Sequence, residues 1–208
     1  DWLPEKRYTL KACFMDSSTA NNVGTSKMVY DYFRKNNMFY PQEIKNPKTR
    51  STVDGFPVRL YINGESMGMY MFNIDRYAEN NYGFIGEQSV VSYEIGVNSV
   101  SGAGAFADDS WASIRSEFEY RYHYAGDESV VCETINNNGV PTTVLKAGYH
   151  SDLQNLVTWV KNSTIEEFRS ELDEHFDLNF LIDYYLWVFV LGLVDNLGKN
   201  SVWTTFGM

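Results

Sequence analysis

The feature that most constrains this chain is a long apolar segment near its carboxyl end. Residues 177–193, DLNFLIDYYLWVFVLGL, begin at a good helix N-cap and are apolar on nearly every side of the helix they would form. The segment is too short, and too often interrupted by polar residues, to span a bilayer, which takes about 20 apolar residues. Such a helix suits a protein interior, so the sequence predicts a central core helix.

The first half of the chain carries mainly strand patterns. Residues 7–14 alternate apolar and polar side chains, and residues 56–62 and 67–74 form two further strand-like runs. The last two runs are joined by a turn that starts with Asn-Gly, a strong hairpin signal because both residues tolerate positive φ. One amphipathic helix is predicted between the strands, over residues 25–36.

The second half is mainly helical. Residues 80–138 mix short signals and are predicted to form an irregular insertion with a few strands. Helical periodicity follows over residues 153–160 and 165–176, with Ser163 and Thr164 as cap candidates, and residues 201–206 are β-branched and aromatic like a strand. A strand-rich first half and a helical second half place the chain in the α+β class, as one domain over residues 1–208 in which two lobes would fit.

Composition excludes some classes of function. The formal net charge of -10 argues against a protein that follows phosphate backbones, so no nucleic-acid partner is expected. No stretch is long and apolar enough for a membrane span, and no membrane partner is expected either. The 3 histidines are scattered, which is poor material for an imidazole zinc site or a serine hydrolase triad.

The segment with the strongest candidates for catalysis is DNLGKN, residues 195–200, a polar and charged stretch between the apolar helix and the last strand. Asp195 and Asn200 have the same separation as the Asp and Asn of the H-R-D-x-x-x-x-N loop of protein kinases, where both side chains converge on one phosphoryl group. Lys199 could neutralise charge on that group. The alternative is a helix C-terminal turn with Gly198 in a left-handed conformation.

Lys11 is a second candidate, because it lies inside the first predicted strand and is followed by a helix. The strand lysine of kinases, which pairs with the ATP phosphates, has the same setting. The alternative is a solvated lysine on an exposed strand face.

Three segments, residues 8–24, 54–74 and 180–205, resemble successive motifs of the CotH family, which is named for the spore-coat protein kinase. The middle one is the most specific, since it resembles the family hairpin "v-x-L-Y-I-N-G-x-x-x-G-x-Y" at Val58, Leu60, Tyr61, Ile62, Asn63, Gly64, Gly68 and Tyr70.

This resemblance implies an atypical protein-kinase-like fold that binds ATP with Mg²⁺ or Mn²⁺ and phosphorylates Ser or Thr of partner proteins. By motif match, Asp195 would be the catalytic aspartate and Asn200 a metal ligand, with Lys11 and Lys199 on the nucleotide phosphates. The family usually has a basic segment before Tyr8 and a "D-x-D" segment after the last strand. The chain has neither, so we expect an incomplete domain whose own activity stays open.

The sequence also resembles CotH-like domains within large phage or prophage structural proteins. The alternative function is therefore a non-catalytic structural or adhesion module of a spore coat or phage tail particle, because a fold can be kept after its chemistry is lost. The expected partners are a protein substrate or neighbouring coat or particle proteins. The expected location is the spore surface, the extracellular space or a virion.

Overall fold

The structure is a computed structural model, and it describes residues 5, 7–12, 21–36, 52–75, 90–96, 103–123, 128–193, 196, 198 and 200–206. By their contacts, the residues fall into two compact units, Asp1–Glu87 and Gln88–Met208, called here the first and second units. The described elements are mixed helices and strands, which confirms the α+β class. The prediction of one domain over residues 1–208 stays a prediction.

The first unit contains an antiparallel sheet in the order β1-β3-β2, formed by β1 (Tyr8–Lys11), β2 (Gly55–Ile62) and β3 (Glu65–Ile74). The predicted hairpin is confirmed: Asn63 (φ 51°) and Gly64 (φ 85°) form its left-handed turn. The first strand is shorter than predicted, and residues 13–14 lie outside the described part of the chain. Helix α1 (Asn21–Asn36) begins before the predicted residue 25.

The second unit contains a sheet in the order β5-β4-β8, formed by β4 (Val90–Ile95), β5 (Phe118–His123) and β8 (Ser201–Phe206). The bounds of β8 are those predicted. A separate hairpin pairs β6 (Cys132–Asn137) with β7 (Val140–Leu145). The core lies between these elements and is made of Tyr93, Ile95, Ala105, Ile114, Phe118, Val131, Cys132, Leu145, Leu153 and Val157.

The region predicted as an irregular insertion is more regular than expected. In addition to its strands, it holds a 3₁₀ helix (Ala103–Phe106), α2 (Trp111–Glu117) and α3 (Glu128–Val131). The two helices are only 7 and 4 residues long, so they are too short to show a helical period in the sequence.

A buried hydrogen-bond chain fixes this core. The Val131 carbonyl oxygen can only accept, so the His150 Nε2 at 2.9 Å must carry a hydrogen and donate to it. The His150 Nδ1 then accepts from the Tyr93 hydroxyl at 2.7 Å. Burial raises the pKa of the Tyr93 phenol, and nearby Asp152 and Cys132 raise it further. Strand β4 is thereby joined to the start of α4 (Ser151–Asn162).

Helix α5 (Ile165–His175) packs on α4 through Trp159. The Trp159 ring stacks on Phe168 with centroids 5.1 Å apart, and its Nε1 donates to a Glu171 oxygen at 2.8 Å. The predicted cap at Thr164 is confirmed as a capping box with Glu167. Ser163, the other cap candidate, instead ends α4.

Helix α6 (Leu178–Val190) is the predicted apolar helix, and its N-cap at Asp177 is confirmed by a bond from the Phe180 N–H at 3.0 Å. The predicted burial is wrong. Val188 is its buried residue, whereas one face is exposed along its length, formed by Leu178, Ile182, Tyr185, Leu186, Phe189 and Val190. An apolar sequence shows that a helix side can be buried, but not which neighbour covers it. Within the described part of the chain, no helix is both long and apolar enough to cross a membrane.

Candidate functional site

The loop between α6 and β8 holds the candidate segment. Helix α6 ends where Gly192 takes a left-handed conformation (φ 63°), and the Leu193 N–H donates to the Val188 carbonyl at 2.9 Å. The left-handed glycine that ends the helix is thus Gly192, ahead of the candidate segment. Asp195 and Lys199 lie outside the described residues, whereas Asn196, Gly198 and Asn200 are described.

Three hydrogen bonds fasten this loop. The Tyr184 hydroxyl donates to the Asn196 carbonyl at 2.6 Å, and the Asn196 N–H donates to the Leu193 carbonyl at 2.8 Å. The Asn196 side chain donates to the Asn200 carbonyl at 3.1 Å. Burial raises the pKa of the Tyr184 phenol, while hydrogen bonds with Ser201 and Asn196 partly offset that rise. The loop backbone is therefore fixed from α6 at one end and closed on itself at the other.

Asn200 is exposed and adopts a left-handed conformation (φ 56°) directly before β8. Its carbonyl is used by Asn196, but its carboxamide makes no hydrogen bond to any residue that the structure describes. The side chain of the next residue, Ser201, is buried and accepts from the Trp203 indole at 3.1 Å. The strand start is anchored, and the Asn200 carboxamide is left available to a ligand.

Lys11 is the last residue of β1 and lies opposite Met71 of β3. Its side chain is exposed, and no ion pair joins it to another described residue. Because it belongs to the first unit, its position relative to the Asn200 loop is outside what the structure describes. The ammonium group is free to bind an anion, which suits the predicted contact with phosphates but also a solvated surface lysine.

Metal binding is supported only by Asn200 among the described candidates. The described residues contain no group of three or more His, Cys, Asp or Glu side chains that could hold a metal ion. An amide oxygen such as that of Asn200 is a suitable ligand for Mg²⁺, which also keeps several waters and needs few protein ligands. The residue type at position 200 therefore fits the ion, with Asn200 as one of its few protein ligands.

Sequence reasoning missed a buried charged cluster on the sheet that contains β8. Arg121 is 3% exposed and Glu94 9% exposed, and the Arg121 Nε donates to Glu94 at 2.6 Å. A second carboxylate, from Glu119, pairs with the Arg121 Nη1 at 2.6 Å. Glu94 lies opposite Val202, two residues after Asn200. The signal was present in the sequence, since both are charged residues inside apolar or aromatic strands.

These features define a mixed α+β protein with a lysine-bearing strand and hairpin in one unit and a fixed polar loop between an apolar helix and a strand in the other. The model of the CotH kinase protein family matches residues 5–205, so the chain belongs to that family. The family implies use of ATP. No curated protein matches the chain, and no solved structure does either.

Proposed function

We propose that this chain is an ATP-dependent protein Ser/Thr kinase domain of the CotH type, with the atypical protein-kinase-like fold, that phosphorylates surface or coat proteins. The observation that carries the proposal is the family match, which spans both the strand with Lys11 and the 195–200 segment. The described geometry supports it, because the loop backbone is fastened while the Asn200 carboxamide and the Lys11 ammonium stay exposed.

The proposed reaction moves the γ-phosphoryl group of ATP to a Ser or Thr hydroxyl. The bond from the acceptor oxygen to the γ-phosphorus forms as the bond from that phosphorus to the ADP oxygen breaks, and the hydroxyl proton passes to Asp195. Lys11 and Lys199 bind phosphate oxygens, and Asn200 would be one ligand of the Mg²⁺ or Mn²⁺. Such an ion, when bound, neutralises charge on the phosphates.

The first experiment is the thermal unfolding midpoint with and without Mn²⁺ and ATP, for the native chain and for Asp195→Ala. A ligand that binds only the native state stabilises it by about 2.7 kcal/mol at 100 times its Kd. We expect a rise that Asp195→Ala reduces and that Asp173→Ala, at an exposed position in α5, leaves unchanged. Absence of a rise in the native chain would refute ATP binding. A rise without transfer of labelled phosphate to a Ser- and Thr-containing acceptor would refute catalysis.

Asn200 needs a separate test, because its left-handed backbone alone favours asparagine or glycine. Asn200→Gly keeps the backbone conformation and removes the ligand, whereas Asn200→Asp keeps an oxygen ligand. We expect Asn200→Gly to unfold at nearly the native temperature but to need more Mn²⁺ for ATP binding. Asn200→Asp should restore Mn²⁺ dependence close to the native one. Equal Mn²⁺ dependence in all three chains would remove Asn200 from the metal site.

A second candidate function is the non-catalytic module of a spore coat or phage tail particle. It is favoured by the exposed apolar face of α6, since a contiguous apolar patch on a protein surface commonly marks a protein interface. Neighbouring coat or particle proteins would then be the partners, at a spore surface, outside the cell or on a virion. Assembly that is unchanged by Asp195→Ala but lost in Phe189→Asp would support this function over catalysis.

A further inference from the structure

We propose that Tyr184 and Asn196 are positioning residues for the phosphoryl transfer, and that their hydrogen bonds hold the loop between α6 and β8 so that Asp195 meets the acceptor hydroxyl. The proposal deepens the proposed function and rests on it. It uses residues of the second unit alone, and it assigns to neither residue a contact with ATP, metal ion or acceptor.

Asn196 links the two ends of the candidate segment. Its N–H, which lies in the planar peptide group that it shares with Asp195, donates to the Leu193 carbonyl at 2.8 Å. Its side-chain Nδ2 donates to the Asn200 carbonyl at 3.1 Å. A single residue is thus bonded beside the proposed catalytic aspartate and to the backbone of the proposed metal ligand. These bonds turn a separation in sequence into a held separation of backbone groups.

Tyr184 attaches Asn196 to helix α6. The Tyr184 hydroxyl donates to the Asn196 carbonyl at 2.6 Å, between residues 12 positions apart in the chain. Because a carbonyl oxygen can only accept, the protonated phenol is the donor in this bond. Its ring is half-buried and belongs to a regular helix that is capped at Asp177 and ends where Gly192 turns left-handed. The loop is therefore held from a regular element, and not by bonds among loop residues alone.

The two ends of the segment are held differently. The Asn200 end leads directly into β8, where Ser201 is buried in a strand that pairs with β4. The Asp195 end is held through Asn196, whose carbonyl accepts from Tyr184. Transfer requires the aspartate and the metal ligand to converge on one phosphoryl group, and a misplacement of about 1 Å can cost about 100-fold in rate. Loss of the Tyr184 hydroxyl should therefore affect the chemical step more than the binding of metal and ATP.

Two pairs of matched variants separate positioning from a general loss of structure. Tyr184→Phe removes one hydroxyl and keeps the ring, and Tyr93→Phe makes the same change at a buried phenol of the core that also donates a hydrogen bond, at 2.7 Å. Asn196→Ala removes the carboxamide that donates to the loop backbone. Asn162→Ala is its control, because the Asn162 Nδ2 likewise donates to a backbone carbonyl, at 2.9 Å, at the exposed end of α4.

The test measures kcat and the KM for the Mn²⁺ complex of ATP in the transfer of labelled phosphate to a Ser- and Thr-containing acceptor. It uses the full chain and the four variants, all below their unfolding temperatures. Hydrogen exchange of the backbone N–H at position 196 is measured in the same chains. Exchange reports opening of the loop whether or not the chain transfers phosphate, so the two readouts are independent.

We expect Tyr184→Phe to lower kcat about tenfold or more at an unchanged KM for ATP, and to speed exchange at position 196 about fivefold. Asn196→Ala should lower kcat similarly and also need more Mn²⁺, since it releases the Asn200 carbonyl. Both control variants should keep the native values. A kcat in Tyr184→Phe equal to that of Tyr93→Phe, or exchange at the native rate, would overturn the proposal and leave the proposed function in place. A native chain that transfers no phosphate would overturn both.

Discussion

Two valines on α6 allow the burial of two sides of this apolar helix to be compared directly. Val188 is 3% exposed and Val190 is 71% exposed, although they are two residues apart on one helix. Mutation of either valine to alanine removes two methyl groups, worth about 0.8 kcal/mol each when fully buried. With the cavity left behind, Val188→Ala should cost about 2 kcal/mol. Val190→Ala should lower the free energy of unfolding by about 0.5 kcal/mol or less. Replacing valine by alanine also raises helix propensity, and this stabilising effect is nearly the same at both positions.

The assay is urea unfolding of both variants beside the native chain, with the unfolding midpoint compared at an unchanged slope. The expected difference between the two variants is about 1.5 kcal/mol, which corresponds to about 3–6 °C in the thermal midpoint for a chain of this size. Because both changes remove the same atoms from the same helix, propensity and unfolded-state effects largely cancel. Equal losses at the two positions would show that the exposed face of α6 is covered in solution, and our account of it would be refuted.

Three further predictions concern buried polar groups of the second unit. Tyr93→Phe and His150→Phe should each lower the free energy of unfolding by about 1–3 kcal/mol. The double variant should lose less than the sum, because one hydrogen bond links the two side chains and the Val131 carbonyl still accepts from the Lys146 N–H when His150 is replaced. Additive losses would contradict the Tyr93–His150 bond. Arg121→Met should lower the free energy of unfolding in urea by about 3–5 kcal/mol, since it removes the cation that pairs with buried Glu94. Lys161→Met, which breaks an exposed ion pair, should change it little, and similar losses in the two variants would show that Arg121 is solvated. The pKa of Tyr93 is raised in the folded chain. The stability that depends on the neutral phenol is therefore fully present below the unfolded pKa of about 10 and declines as pH rises above that value. Tyr93→Phe should accordingly reduce the loss of stability that is measured at alkaline pH.

The elements that the sequence predicted best are those whose signal is local. The hairpin follows from an Asn-Gly turn that needs positive φ, and the start of α6 follows from an aspartate whose side chain accepts an N–H three residues later. Strand β8 was found with its bounds, because six residues of β-branched and aromatic character follow a polar loop. Each of these depends on a few neighbouring residues and on no distant partner.

Some features that sequence reasoning missed depend on pairing between distant segments. In the first sheet, Thr9 and Asn73 carry buried polar side-chain atoms that have no hydrogen-bond partner among the described residues. These side chains become notable only when the register places Thr9 and Gly55 on either side of Asn73. Taken singly, they are an ordinary threonine, glycine and asparagine in or near strands. In the same way, the burial of α6 was predicted from its own composition, whereas the exposed side of a helix is decided by which other segments pack against it.

The asparagine at position 200 shows why spacing alone is weak evidence for chemistry. Among the described residues other than glycine, those with positive φ are Asn63, Asn138 and Asn200. Asparagine is favoured in this conformation because its short polar side chain bonds locally, and the first two of these residues lie in hairpin turns. The left-handed backbone therefore already accounts for an asparagine before β8, and its separation from Asp195 adds little evidence for a catalytic role. What distinguishes Asn200 is the family match across the segment, together with a carboxamide that no described residue uses. A comparison of Asn200→Gly with Asn200→Asp separates the two explanations, because glycine satisfies the backbone alone and aspartate supplies the ligand.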